Sequence, residues 1–392
     1  MKEEIKEKLQ RVLDRAVEEK ELAGGSVLVL KGGQEVCYAE SGMADREEKR
    51  PVARDTIYRL YSMSKPITAA AVMKLVEDGL LDLAEPVSTF FPSFQKQMVE
   101  KDGRLVESCR EVTVQHLLHM TGGLVYGGRG GLTGEYMDQL FEEMDRRLLG
   151  ESPMSTAEFG DLLGKVPLAF QPGQSWRYGT SADMLGAVVE AVSGKTFGEY
   201  LEENIFRPLG MVDTGFYVPE EKRSRLATAY EPDSQGNLVP YRGNHLGIIN
   251  AMDRRPAFES GGAGLVSTAD DYARFARMLL NGGQAGGVQV LHPGTVKFMT
   301  AGALSGVQEE ALGDYFTNLC GYSYSCLMRV LKDPGKARML GNPGEYGWDG
   351  WLGCHFLNDP AAGLTFIFMM QKKDAGTTPL ARKLRNVVMC ES

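Results

Sequence analysis

Cysteine and histidine are scarce in this chain of 392 residues, which contains six cysteines and five histidines. The cysteines are scattered and form no CxxC pair, so we predict neither a disulfide framework nor a zinc site built on such pairs. His116 and His119 lie three residues apart, but no HExxH motif accompanies them. Because a metal ion needs further ligands at defined spacing, we expect no metal site. The cysteine usage is typical of a reducing compartment.

Long basic runs and long apolar runs are also absent. The net charge is -9, which argues against nucleic acid as a partner because a phosphate backbone requires a basic face. No uncharged apolar stretch reaches the ~18 residues of a membrane-spanning helix, so no membrane partner is expected. The highly charged N-terminal segment has no apolar core of a secretory signal, which predicts a cytoplasmic protein. A processed export form is the alternative, and nothing in the sequence indicates an oligomeric state.

Strand-like patterns lie near both ends of the chain. Ile5, Leu9 and Leu13 recur at helical spacing and predict an amphipathic N-terminal helix. Two β-rich runs then follow, and Gly32-Gly33 between them predicts a hairpin. Further strand-like runs occupy the last third, before a C-terminal helical segment.

The middle of the chain differs because its apolar residues recur at helical spacing. We therefore predict an α/β (α+β) protein in which residues 1–82 and 234–392 form a discontinuous α/β domain. Residues 83–233 would form an inserted, mainly helical domain. The glycine run Gly127–Gly131, with Arg129 inside it, is interpreted as a flexible loop, since no strand-then-helix context supports a phosphate cradle.

The sharpest local motif is Ser62-Met63-Ser64-Lys65, which leads into an almost uncharged helical segment. Ser-x-x-Lys on a helix places a hydroxyl and an amine on one face, one turn apart. A serine becomes a good nucleophile when a base takes its proton, and burial keeps a lysine neutral enough to act as that base. At the start of a helix, the Ser62 N–H also faces a developing oxyanion.

The same spacing occurs a second time, in Ser93-Phe94-Gln95-Lys96. This copy follows a proline and precedes a charged stretch, so we interpret Lys96 as solvated. The tetrapeptide alone is therefore a weak signal, and context favours Ser62 and Lys65.

Two further segments carry groups suited to catalysis. Tyr178-Gly179-Thr180 precedes a helix, and a tyrosine near a lysine cation can share general-base duty. The alternative is a half-buried tyrosine that caps a loop.

The run from Tyr346 to Gly353 alternates glycines with aromatic residues, and an edge strand there would offer free N–H groups to an oxyanion. An aromatic-rich hairpin turn is the alternative for this run.

Together these segments resemble the serine β-lactamase and penicillin-binding-protein superfamily, and most of all class C β-lactamases and family VIII carboxylesterases. The resemblance extends from about Gly24 to Gln371. It also includes the segments VTVQHLLHMTGGL, IFRPLGMVDTGF, SGGAGLVSTADDYARFARMLLNGG and WDGWLGCHFLNDPAAGLTFIFMMQ. It implies a β-lactamase/transpeptidase-like fold, with an antiparallel sheet flanked by helices and the active site in the cleft beside the inserted helical domain.

The resemblance also implies roles for individual residues. Ser62 would be the acylated nucleophile, Lys65 its proton partner, and Tyr178 both the general base and the acid that protonates the leaving group. The backbone N–H groups of Ser62 and Trp351 would form the oxyanion hole. The expected contacts to substrate are Trp348, Asp349, Gly350, Trp351 and Thr180.

Two departures from the lactamase pattern bear on the substrate. Thr180 stands where lactamases usually have asparagine, and Trp348-Asp349-Gly350 replaces Lys-Thr-Gly, close to the Trp-Gly-Gly pattern of the esterases. Loss of that lysine removes a cation that pairs with substrate carboxylates. Asp349 would add negative charge at the same place, so uncharged esters are favoured over anionic β-lactams.

We therefore predict a serine hydrolase that cleaves short-chain or aromatic carboxylic esters through an acyl-enzyme on Ser62, with no metal or organic cofactor. Its partner would be a small-molecule ester or amide. One alternative is a β-lactamase, D-amino-acid peptidase or acyltransferase with the same Ser-Lys-Tyr groups. The other is an acylatable sensor module that no longer turns over.

Overall fold

The computed structural model describes residues 2–128 and 130–390. The strands are β1 (Gly24–Lys31), β2 (Gln34–Asp45), β3 (Arg50–Pro51), β4 (Tyr58–Arg59), β5 (Met98–Lys101), β6 (Arg104–Glu107), β7 (Tyr230–Pro232), β8 (Leu238–Pro240), β9 (Val266–Ser267), β10 (Gln284–Ala285), β11 (Val288–Gln289), β12 (Tyr322–Ser325), β13 (Met328–Leu331), β14 (Tyr346–Asp349), β15 (His355–Asp359) and β16 (Leu364–Met370). The helices are α1 (Lys2–Glu18), α2 (Lys65–Glu77), α3 (Val114–Leu118), α4 (Gly131–Arg147), α5 (Thr156–Leu163), α6 (Ser181–Ser193), α7 (Phe197–Leu201), α8 (Arg207–Leu209), α9 (Ala269–Leu280), α10 (Pro293–Met299), α11 (Gly306–Tyr315) and α12 (Pro379–Met389).

An antiparallel sheet of eight strands joins the two ends of the chain. Its order is β12-β13-β14-β15-β16-β1-β2-β3. β1 and β2 form the predicted hairpin, with Lys31 opposite Gln34 and the two glycines in the turn. On its other edge β1 pairs with β16, where Gly25 faces Met370. The sheet is therefore complete only when the first and last strands meet.

The two faces of the sheet are covered by different helices. Successive side chains of a strand point to opposite faces. Val27 and Val29 accordingly pack with α1 and α12, where Leu9, Leu13 and Leu384 are buried. Leu28 belongs to the larger core on the opposite face, together with α2, α6 and α9. The predicted amphipathic N-terminal helix is therefore present, and it covers one face of the sheet.

Helix α2 lies at the centre of the larger core, and its side chains from Ile67 to Met73 are buried. A 3₁₀ turn, Tyr61–Ser64, precedes it. The Ser62 carbonyl accepts a hydrogen bond from the Lys65 N–H, since Pro66 has no N–H to donate. Ser62 therefore lies one turn before α2 rather than inside it, which sets its hydroxyl at the entrance to the buried helix.

The helices predicted in the middle of the chain are present as α3 to α7, and the short α8 follows them. None of the eight strands of the large sheet comes from residues 83–233. The division into two domains stays a prediction. The glycine run Gly127–Gly131 leads into α4, and Arg129 lies outside the described residues. Among the helices that the structure describes, none combines the length and the apolar character needed to span a bilayer.

Candidate active site

The side chains of Ser62 and Lys65 meet at the start of α2. Lys65 Nζ lies 3.1 Å from Ser62 Oγ, 3.2 Å from Tyr126 Oη and 2.8 Å from the Gly262 carbonyl oxygen. An ammonium has three protons to donate, and these three acceptors accommodate them. The lysine is thereby aimed at the serine hydroxyl, as the Ser-x-x-Lys spacing predicts.

Burial changes the acid–base chemistry of this lysine. Lys65 is 0% exposed. Removal from water penalises the ammonium and lowers the pKa of Lys65 to about 7, although the nearby Asp183 carboxylate opposes the shift. A large fraction of Lys65 is therefore neutral near neutral pH and able to accept a proton.

The 3₁₀ turn that carries Ser62 is held by its neighbours. Tyr272 Oη donates to the Met63 carbonyl at 2.9 Å, and the Leu265 N–H donates to Ser64 Oγ at 3.1 Å. Tyr61 has a φ of +46°, in the left-handed region that a bulky side chain adopts only when its surroundings hold it there. Ser62 is therefore presented by a rigid backbone.

Tyr178 reaches the same place from the turn before α6. Lys65 Nζ lies 4.7 Å from the centre of its ring, and its Oη accepts a hydrogen bond from Trp348 Nε1 at 3.1 Å. Burial raises the pKa of Tyr178 well above its usual value, and the hydroxyl of Ser62 and the indole of Trp348 oppose that shift only in part. The phenol is therefore protonated at neutral pH.

Two glycines allow these segments to approach each other. A Cβ at Gly179 would lie 2.2 Å from the Leu124 carbonyl oxygen, so the Tyr178 turn packs directly on the segment that leads to Tyr126. A Cβ at Gly350 would lie 2.2 Å from the Leu60 carbonyl oxygen. The end of β14 is therefore pressed against the chain just before the nucleophile.

Trp351 lies at this contact. Its ring packs on Tyr61 at 4.8 Å and stacks on His245 at 4.2 Å, measured between ring centres. Its Nε1–H donates to Asp374 at 2.7 Å. The structure therefore brings Trp351 beside the serine-bearing turn, while its role as an oxyanion donor stays a prediction.

The charge of Asp349 is compensated, which corrects the expectation of added negative charge here. Arg329, which is fully buried, donates to Asp349 Oδ1 at 2.8 Å, and His355 Nδ1 lies 2.6 Å from the same oxygen. Arg329 and His355 hold the pKa of Asp349 far below its usual range, although burial opposes them. Burial also lowers the pKa of His355 to about 4, so the ring is neutral and the Arg329 cation balances the carboxylate. The sequence did not reveal this pairing, because its partners lie on neighbouring strands.

Thr180 is not brought to the substrate side. Its side chain is fully buried, and its hydroxyl has no hydrogen-bond partner among the described residues. Thr180 is also absent from the walls of the cavity over Ser62. A direct contact between Thr180 and substrate stays a prediction.

A cavity of about 720 Å³ opens above Ser62. Of the predicted residues it is lined by Ser62, Tyr178, Trp348, Asp349, Gly350 and Trp351. The sequence interpretation missed several other wall residues, including Tyr126, Phe141, His245, Tyr315 and Phe316. One feature of the sequence could have indicated Tyr126 as a site residue: it is an aromatic residue directly before the glycine run.

Within residues 2–128 and 130–390, no group of three or more His, Cys, Asp or Glu side chains is arranged to hold a metal ion.

Comparison with known proteins places this geometry in context. The profile of the family described as Beta-lactamase matches residues 9–388. Esterase EstB of Burkholderia gladioli is 32% identical over 399 residues, which cover 97% of this chain and 94% of the esterase. Protein Rv1367c of Mycobacterium tuberculosis is 33% identical over 362 residues, which cover 89% of this chain and 86% of that protein.

A solved structure extends the similarity to three dimensions. EstCE1, described as a hydrolase with promiscuous acyltransferase activity, matches with a TM-score of 0.84 at 27% sequence identity. The match covers 99% of both chains. The architecture described above is therefore shared over its whole length.

Proposed function

Because the chain belongs to the β-lactamase family, we propose that it is a serine hydrolase that cleaves carboxylic esters through an acyl-enzyme on Ser62. The observation that carries the proposal is the Ser62–Lys65 pair, in which a buried lysine with a pKa of about 7 lies 3.1 Å from the hydroxyl. A small-molecule ester that enters the cavity meets this hydroxyl on its wall.

In the acylation step, neutral Lys65 takes the proton of Ser62 as Oγ attacks the carbonyl carbon. The carbonyl oxygen becomes an oxyanion that the backbone N–H groups of Ser62 and Trp351 stabilise. Tyr178 protonates the departing alkoxide and is reprotonated from Lys65, so the alcohol leaves and the acyl group stays on Ser62. Of the two roles predicted for Tyr178, the raised pKa of its phenol supports that of the acid.

Deacylation reverses these transfers with water in place of the alcohol. Lys65 accepts a proton from the water as its oxygen attacks the ester carbonyl of the acyl-enzyme. The Ser62–acyl bond then breaks, and Lys65 passes the proton that it took from water to Ser62 Oγ. The products are a carboxylic acid and the free enzyme, and no metal or organic cofactor takes part.

Esters are favoured over β-lactams for two reasons. Trp348 occupies the position where the resemblance would require lysine, and its indole donates to Tyr178 instead of pairing with a substrate carboxylate. A relative matched over 97% of this chain is Esterase EstB of Burkholderia gladioli. Nitrophenyl esters should therefore be hydrolysed with a burst of nitrophenol at high enzyme concentration, whereas a chromogenic cephalosporin should be hydrolysed far more slowly. Faster hydrolysis of the cephalosporin would overturn the ester assignment.

Acyl transfer is a second candidate because EstCE1 is described with that activity. An alcohol that enters the cavity in place of water would take the acyl group from Ser62. Adding an alcohol during hydrolysis of a nitrophenyl ester should then divert acid into a new ester, which mass spectrometry detects. A stable acyl adduct without turnover would instead support a sensor.

A further inference from the structure

The walls of the cavity over Ser62 contain more than the catalytic groups, and they indicate which esters it takes. Seven aromatic side chains of Tyr, Phe and Trp face it, and four aspartates are among the lining residues. No lysine or arginine is among the described residues that line it. We propose that this cavity selects esters that carry a cationic group, such as a quaternary ammonium, and this inference rests on the proposed ester hydrolysis.

The four aspartates differ in how far their charge is compensated, and Asp374 lies within electrostatic range of Lys373, which pairs with Glu231. Asp349 is paired with buried Arg329 and therefore contributes little field. Asp138, Asp145 and Asp374 form no ion pair with any lysine or arginine that the structure describes. Asp138 accepts the Gly128 N–H at 2.8 Å, and Asp374 accepts the Trp351 indole N–H. These are neutral donors, so the negative charge remains available to a ligand.

Asp145 differs from the other two aspartates because its carboxylate has no partner. Its side chain is exposed, and within the described parts of the chain its carboxylate has neither a hydrogen-bond nor an ion-pair partner. Partial loss of water raises the pKa of Asp145, while the side chain stays accessible from solvent. A cation in the cavity would stabilise that carboxylate, and an anion would destabilise it further.

Helix α4 presents this charge together with an aromatic face. Asp138, Phe141 and Asp145 follow one another at three- and four-residue intervals, so they share one side of the helix. All three line the cavity. A cation that approaches this side therefore meets carboxylates and a ring at once, the combination that binds quaternary ammonium groups in proteins.

Another part of the wall has the same character. The Trp351 indole is held by Asp374 and stacked on His245, whose pKa is lowered mainly by burial, so the imidazole is neutral at neutral pH. Neutral aromatic rings attract a cation through their negative faces. The proposed preference therefore belongs to the cavity as a whole, and the nucleophile on its wall makes any bound ester a substrate.

A pair of isosteric substrates tests the proposal directly. Butyrylcholine carries a trimethylammonium group, and neohexyl butyrate has a tert-butyl group of nearly the same size and shape in its place. We expect kcat/KM of the full-length enzyme to be about tenfold higher for the choline ester at low ionic strength. The preference should fall as salt is added, because exposed charges are screened. A second pair with the ammonium on the acyl side, made as nitrophenyl esters, covers the opposite orientation.

Substitution of single aspartates tests which residues cause the preference for the cationic ester. Asp145→Asn should lower the ratio of kcat/KM for the charged ester to that for the neutral ester to about twofold. Asp138→Asn and Asp374→Asn should lower it less. Asp161→Asn removes the same charge from helix α5, where Asp161 pairs with Lys165 away from the cavity, and should leave the ratio unchanged.

The outcomes separate this inference from the proposed function. If both neutral esters are hydrolysed and neither pair shows a preference for the cation, the inference is overturned while ester hydrolysis stands. An Asp161→Asn effect as large as that of Asp145→Asn would overturn it too. If no ester is hydrolysed, the proposed function fails. Calorimetric binding of choline against neohexanol, in wild type and Asp145→Asn, then decides whether the cavity prefers cations.

Discussion

The same tetrapeptide pattern occurs at two places in this molecule with opposite outcomes. Lys65 is fully buried and lies 3.1 Å from Ser62 Oγ, whereas Lys96 is exposed. Ser93 Oγ is buried against Gly164 and has no hydrogen-bond partner among the described residues. The first pair leads into a buried helix and the second lies at a short 3₁₀ turn, Pro92–Phe94. Spacing brings a serine and a lysine near each other in sequence, and only burial turns the lysine into a base.

The largest expected effect separates the two serines. Ser62→Ala should lower ester turnover by roughly 10⁶-fold, as removal of a catalytic serine does elsewhere, because the hydroxyl that forms the acyl-enzyme is lost. Ser93→Ala should retain wild-type turnover. Fluorophosphonate labelling followed by peptide mapping provides the independent check. A label on Ser93, or full turnover by Ser62→Ala, would reverse the comparison.

The two lysines should differ nearly as much. Lys65→Met should lower kcat/KM for a nitrophenyl ester by about 10²- to 10⁴-fold, since the proton acceptor is lost. Lys96→Met should leave kcat/KM unchanged, because its ammonium is solvated. Circular dichroism and thermal unfolding show whether each variant is folded. Equal losses in the two folded variants would show that burial does not distinguish the lysines.

The pH dependence sharpens the contrast through the pKa of Lys65. Neutral Lys65 accepts the proton, so kcat/KM should be high above its pKa of about 7 and fall as the ammonium forms below it. Well below the midpoint, the loss should approach about tenfold per pH unit. The profile of kcat/KM from acid to mildly alkaline pH measures this, and Lys96→Met is the control. A profile that stays flat through neutrality would contradict a buried lysine base.

The smallest expected effect concerns Tyr126, which contacts Lys65 of the Ser62–Lys65 pair. Tyr126→Phe removes one of three acceptors of Lys65 Nζ, the one at 3.2 Å. The ammonium loses more than the neutral amine does, so the pKa of Lys65 should fall and the pH midpoint should move to lower pH. We expect kcat to fall by about fivefold, equivalent to roughly 1 kcal/mol. An unshifted midpoint would show that Tyr126 is not a partner of the lysine in solution.

Much of the fold and part of the site were predictable from local pattern. The N-terminal helix, the hairpin at Gly32-Gly33 and the buried helix after Ser62 each depend on periodicity and turn chemistry within a few residues. The α/β (α+β) class with an antiparallel sheet flanked by helices is confirmed, and so is the resemblance to the β-lactamase superfamily. The meeting of Ser62, Lys65 and Tyr178 followed from that resemblance rather than from spacing alone.

The expectation about Asp349 and the site residues that the sequence did not reveal depend on contacts between distant segments. Asp349 is read in sequence as a free charge, but the fold places Arg329 of the adjoining strand beside it. Tyr126 reaches the site only because Gly179 lets the segment that carries Tyr126 approach the Tyr178 turn. In each case the partner lies far away in sequence, where periodicity carries no information.

The pairing of the first strand with the last has a consequence for biosynthesis. β1 hydrogen-bonds to β16, so its second edge has no partner until almost the entire chain has been made. At ~5–20 residues per second, the emerging β1–β2 hairpin waits tens of seconds or less with an open edge. An unpaired edge of apolar strand invites pairing with other chains. Slower translation of the last third should therefore lower the soluble yield more than slower translation of the first.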